Sequence, residues 1–152
     1  MTDPVPMPPF AYVPGQTPRH REGAFGTLQD SVRANMSPTE LIGTQAWLAG
    51  LQYLEQGFYW EAHEVLEPVW MQTGQNSAER QMVQAIIQIA NAALKQRMNR
   101  PRAVVRLCEL AQGHLHAAQT RGGDWVMGLK CAEIAQRIAE IRSSANPDPW
   151  RD

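Results

Sequence analysis

From Ser37 onward, apolar side chains recur every three to four residues, the spacing that lays one face of an α-helix against a core. Ser37-Pro38-Thr39-Glu40 is a capping box with proline at the first helical position. It predicts a helix that carries Leu41, Trp47, Leu48 and Leu51 inward and stops at Gly57. A second helix is expected from Phe58 to about Met71, before the turn Thr73-Gly74-Gln75-Asn76. Ser77 caps a third, from about Ala78 to Met98. Asn99-Arg100-Pro101 opens a fourth with Val104, Leu107, Cys108, Ala111, Leu115 and Ala118 on one stripe. Arg121-Gly122-Gly123 breaks it, and Asp124 caps a fifth that bears Met127, Cys131, Ile134, Ile138 and Ile141.

No segment of useful length alternates with the period of a strand. Short loops between amphipathic helices make neighbours antiparallel. The expected fold is therefore all-α, a single-domain antiparallel bundle of about five helices packed as tetratricopeptide-like hairpins. Its helical domain spans residues 37–145. Residues 1–36 carry Pro4, Pro6, Pro8, Pro9, Pro14 and Pro18 and show no periodicity, so they are expected to form an extended arm. Phe10, Tyr12, Val13 and Phe25 imply that the arm lies along the domain. Asn146-Pro147-Asp148-Pro149 ends the structure, leaving 146–152 as a disordered tail; a self-association anchor at Trp150 is the alternative there.

Composition narrows the function classes. Hydrophobic residues are 43% and charged residues 19% of 152, which is ordinary globular composition with length enough for one core. A net charge of -1 supplies no field to recruit nucleic acid or an anionic membrane, so neither is an expected partner. The longest apolar run, Ala85 to Leu94, is broken by Gln88 and Asn91 and is too short to span a bilayer. Cys108 and Cys131 sit among apolar helical positions at no zinc-site spacing, and the proline-rich start is no signal peptide. A cytoplasmic location is expected, and a homo-oligomer or protein partner stays open.

The chemistry concentrates in Tyr59-Trp60-Glu61-Ala62-His63-Glu64-Val65-Leu66-Glu67. With Tyr59, Ala62, Leu66 and Trp70 as the apolar centre of that helix, His63 and Glu67 fall beside aromatic and thioether side chains, and Glu61 points elsewhere. On the third helix, Gln84, Gln88, Asn91 and Lys95 make one narrow polar stripe on an otherwise apolar cylinder. Facing His63 and Glu67, they would offer amide donors and a cation. Three readings compete. One is a satisfied structural network. Another is a divalent-metal site with His63 and Glu67 as ligands, because His63-Glu64-x-x-Glu67 is a relative of the zinc-peptidase His-Glu-x-x-His, with Glu64 in the place of the base. The last is metal-free acid–base catalysis by His63 with Glu64 or Glu67. A third ligand could come from His20, His114, His116 or Glu79. Pro68 frees the carbonyl of Glu64 beside this cluster.

These residues resemble the family catalogued as domain of unknown function 309. Its helix Gly-x-Tyr/Phe-Trp/Tyr-Glu-Ala-His-Glu-x-x-Glu-x-x-Trp reads here as Gly57 to Glu64, then Glu67 and Trp70. Glu79, Gln84 and Gln88 follow on the next helix, and the likeness covers roughly residues 45–98. Some members have an arm similar to Tyr12-Val13-Pro14-Gly15 followed by Pro and His; Pro18-Arg19-His20 carries an inserted arginine. The resemblance implies an all-helical fold and brings the label of a predicted metal-dependent hydrolase. Some members have a histidine near the position of Lys95, and that ligand is missing here.

The leading expectation is a helical protein in which His63, Glu64 and Glu67, roofed by Gln84 and Gln88 and edged by Trp60 and Lys95, hold a divalent metal ion or a small polar ligand. The alternative is a non-catalytic interaction module with a groove lined by Trp47, Tyr53 or Trp125, in which the cluster is a hydrogen-bond network.

Overall fold

The structure, a computed structural model, describes residues 4–145. Among these, seven helices and one hairpin follow in order: α1 (Gly26–Gln29), α2 (Pro38–Leu41), α3 (Gln45–Gln56), α4 (Tyr59–Gln72), α5 (Ala78–Arg97), α6 (Pro101–Gly122), β1 (Trp125–Val126), β2 (Leu129–Lys130) and α7 (Cys131–Ser144). The all-α expectation holds. The proposed tail, 146–152 with Trp150, lies outside the described residues, as do residues 1–3 of the arm.

Two element boundaries differ from the periodicity. The helix expected from Ser37 to Gly57 is two helices. The capping box forms, with the Ser37 side chain accepting from the Glu40 N–H, but α2 ends at Leu41 and Thr44 caps α3 by accepting from the Trp47 N–H. Thr44 also donates to the Leu41 carbonyl, so one hydroxyl ends one helix and starts the next. The fifth helix starts at Cys131 rather than after Asp124. Residues 125–130 form a two-residue hairpin turned by Met127 (φ 54°) and Gly128 (φ 73°), the left-handed pair that a type I′ turn requires.

Each long helix packs on its sequence neighbour, from α3 on α4 through α6 on α7, with α5 at the centre. Met82, Val83, Ala85, Ile86, Ile89, Ala90 and Ala92 of α5 are essentially without solvent contact. Helix α3 approaches α4 closely at Gly50, where a Cβ would fall 2.3 Å from Leu66 Cδ2. Gly57 turns α3 into α4 in the left-handed conformation (φ 87°), and Arg97 reaches back from α5 to donate to its carbonyl and cover the Tyr59 ring. No helix among the described residues is long and apolar enough to cross a membrane.

The arm is pinned at several points along the bundle. Tyr53 Oη donates to the Pro6 carbonyl, Gln16 Nε2 to the Arg97 carbonyl at 3.1 Å, and Val13 is buried. Thr17 accepts from the Val13 N–H and donates to the Ala11 carbonyl, which shapes the turn that returns the chain toward α4. Helix α1 then closes this layer over α3 and α4.

Candidate functional site

Helix α4 buries Glu61, Ala62, Val65, Leu66 and Val69. This stripe is rotated from the centre that Tyr59 and Trp70 suggest; both rings are only half-buried. Glu61, Val65 and Val69 stand at i, i+4 and i+8 on it, so a carboxylate faces the interior. Glu61 is apart from the group of His63, Glu64 and Glu67, as its spacing implies, but it goes inward: its side chain is 0% exposed.

The partner comes from the arm. His20 Nε2 lies 2.5 Å from Glu61 Oε2, and the Tyr12 N–H donates to the same oxygen at 2.7 Å. The imidazole is 4% exposed and packed on aromatic rings. Phe10 stacks on it at 4.5 Å, Trp60 stacks at 5.9 Å, and Phe25 meets it edge-on at 5.1 Å. Glu61 Oε1 has no hydrogen-bond partner among the described residues. Burying an ionisable pair is favourable only when geometry and hydrogen bonding are good. Here a short contact, a backbone donor and three rings meet that requirement on one oxygen and leave the other open. His20 was among the possible third ligands; it belongs instead to this pair.

The His63 cluster sits on the other side of the stripe, at the rim. His63 Nδ1 is 3.7 Å from Glu64 Oε1, and His63 Nε2 is 3.5 Å from Glu67 Oε2. One ligand atom from each of the three residues lies within 4.8 Å of the others. The side chains are 31%, 30% and 54% exposed, so the cluster lines the edge of the apolar face rather than its interior. Burial raises the Glu64 pKa above its ordinary value, with His63 lowering it and Glu67 raising it further.

Gln84, Gln88 and Lys95 are half-buried along α5. Gln88 accepts from Asn91 at 3.3 Å, and no hydrogen bond among the described residues joins these side chains to His63 or Glu67. His114 bonds Gln81 Oε1 through Nδ1 at 2.8 Å, and burial lowers its pKa. His116 is exposed, and neither it nor Glu79 joins the group of three. The carbonyl of Glu64 that Pro68 leaves without its helical donor accepts from Gln29 Nε2 at 3.3 Å. The aromatic groove expected of an interaction module does not form, because Trp47 and Tyr53 are core residues and only Trp125 is exposed.

Two cavities flank His20. One, of about 550 Å³, lies between the proline segment, Phe25, Leu28 and Tyr53. The other, of about 690 Å³, is bounded by Tyr12, Glu22, Gln29, Trp60 and Glu64. Sequence spacing could not reveal either, since each is built by the arm against residues far along the chain. The available signal was the unusual concentration of aromatic residues and a histidine in a proline-rich segment.

Residues 47–107 match the model of the family described as "Domain of unknown function (DUF309)". The resemblance therefore extends from Trp47 on α3 to Leu107 on α6. It takes in Glu61, His63, Glu64 and Glu67 and leaves His20 and the rest of the arm outside. No curated protein and no solved structure matches the chain significantly.

Proposed function

We propose that α4 carries a divalent-cation site formed by His63, Glu64 and Glu67, and that this site serves a metal-dependent hydrolase. The observation that carries the cation reading is the convergence of one imidazole nitrogen and two carboxylate oxygens within 4.8 Å on about one helical turn. Bonds of about 2.0–2.2 Å to one ion imply ligand separations of roughly 3–4 Å, so binding would draw the three atoms together from their present spacing. A nitrogen and oxygen donor set without thiolate suits zinc, manganese or iron better than a soft cation.

His63 and Glu67, at i and i+4, would hold the ion. A bound ion would supply Lewis acidity and make a water more acidic. Of this chain's own groups, Glu64 is best suited to take up a proton, because it adjoins both His63 and Glu67 and desolvation raises its pKa above the ordinary value. The exposure of Glu67, 54%, favours a second reading, a solvated helix face with no ligand.

Elemental analysis of tag-free protein, with titration of zinc, manganese and iron into the chelator-treated form, separates the two. Stoichiometric metal that His63→Ala and Glu67→Ala both abolish supports the cation site. A wild type that takes up none of the three ions refutes it. Hydrolysis of a screened ester or amide that requires the ion and is lost in Glu64→Gln tests the enzymatic half.

A further inference from the structure

The 550 Å³ cavity is lined by apolar residues and two arginines. Its walls are apolar, chiefly Pro8, Phe10, Phe25, Leu28 and Tyr53, and no Asp or Glu lines it. Arg19 and Arg21, on either side of His20, do line it. Most other arginines of the fold are committed. Arg80 covers Trp70 and donates to the Thr73 carbonyl, Arg97 covers Tyr59, Arg137 pairs with Glu55 and Arg142 with Glu109. The side chains of Arg19 and Arg21 make no hydrogen bond, ion pair or ring contact among the described residues. Arg19, His20 and Arg21 also border the second cavity, but there Glu22 and Glu64 stand with them, whereas the first cavity has no carboxylate to offset the two arginines.

An apolar space of a few hundred Å³ with a small number of convergent charged groups is the usual form of a small-molecule site. The charged residues lining it are both arginines, and Glu61, which His20 engages through Oε2, is not among the lining residues. We propose that this cavity binds a small organic anion with an apolar body, an aromatic or medium-chain carboxylate or sulfonate. The body lies against Phe25, Leu28 and Tyr53 beneath the proline segment, and the acid group meets Arg19 and Arg21 in charge-assisted hydrogen bonds. The inference does not depend on a cation at His63, and its test is done without one.

The probe is 8-anilinonaphthalene-1-sulfonate, titrated by calorimetry and fluorescence into the full chain in excess EDTA. Its uncharged relative N-phenyl-1-naphthylamine is titrated in parallel. One equivalent of the sulfonate is expected to bind. The double variant Arg19→Gln/Arg21→Gln is expected to weaken it about tenfold or more and to leave the uncharged dye unchanged, since a bidentate charged contact is lost while the apolar walls remain. Thr27→Glu, at an exposed position lining the same cavity, is expected to weaken the sulfonate similarly by bringing in a like charge. Melting curves confirm that the variants are folded, and Thr27→Glu keeps the test intact if the arginine variant is not. Absence of saturable binding overturns the proposal. So does equal sulfonate affinity in wild type and folded variants, or parallel weakening of both dyes.

Discussion

His20 and Glu61, 41 positions apart, form one buried pair with Nε2 and Oε2 2.5 Å from each other. The contact joins the proline-rich arm to the helix that carries His63, Glu64 and Glu67. It also places the imidazole, with Arg19 and Arg21 beside it, on the border of two cavities, of which only the second has carboxylates.

Removing one member of this pair is expected to cost far more than removing both. His20→Ala strands a carboxylate in the interior, for which a loss of about 3–5 kcal/mol is typical. His20→Phe with Glu61→Leu replaces the pair by apolar groups of similar size and should be much less destabilising. Urea denaturation of His20→Phe, Glu61→Leu and the double measures this. Additive losses would show that the pair is not coupled.

Tyr53 should report arm docking in alkaline solution. Desolvation, with a smaller contribution from Glu61, raises its phenol from 10.0 to about 12. Because the folded value is the higher one, the stabilisation is complete below pH 10 and is lost as pH rises toward 12. Tyr53→Phe should remove that part of the alkaline decline. It also deletes the bond to the Pro6 carbonyl, so limited proteolysis should cut the arm faster in the variant.

Gln29 and Pro68 should show a coupled effect. Gln29→Ala leaves the Glu64 carbonyl without a donor, at a cost of about 1 kcal/mol. In a Pro68→Ala background the restored helical N–H can serve that carbonyl, and Gln29→Ala should become nearly neutral. A double-mutant cycle in chemical denaturation reads the difference.

Glu64→Gln should raise the melting temperature of metal-free protein at neutral pH. Burial raises the Glu64 pKa in the folded state, so its ionisation opposes folding as pH rises through that value. The advantage of the variant should vanish in acid, where Glu64 is protonated in both states. Added zinc should raise the melting temperature of wild type and of Glu64→Gln, and should leave that of His63→Ala unchanged.

Much of this protein was legible without coordinates. The 3.6-residue recurrence, the Ser37 and Ser77 caps and the proline at position 101 determined an all-helical bundle, because these are local properties of a chain. Spacing within one turn also sufficed to place His63, Glu64 and Glu67 together. The hairpin at Met127-Gly128 and the break at Thr44 escaped this reading, since a left-handed methionine and a double-duty hydroxyl leave little trace in hydrophobic periodicity.

What only the tertiary structure decided is which side of α4 is inside. Tyr59 and Trp70 drew the apparent centre toward themselves, but large rings can cover a surface while remaining half exposed. The small residues Ala62, Val65 and Val69 mark the true face, and Glu61 goes in with them. Its burial is favourable because His20 and the Tyr12 amide arrive from a segment about forty to fifty residues away. Local pattern determines helices; a charge can be buried only where the fold brings it a partner, and that is a property of the whole chain.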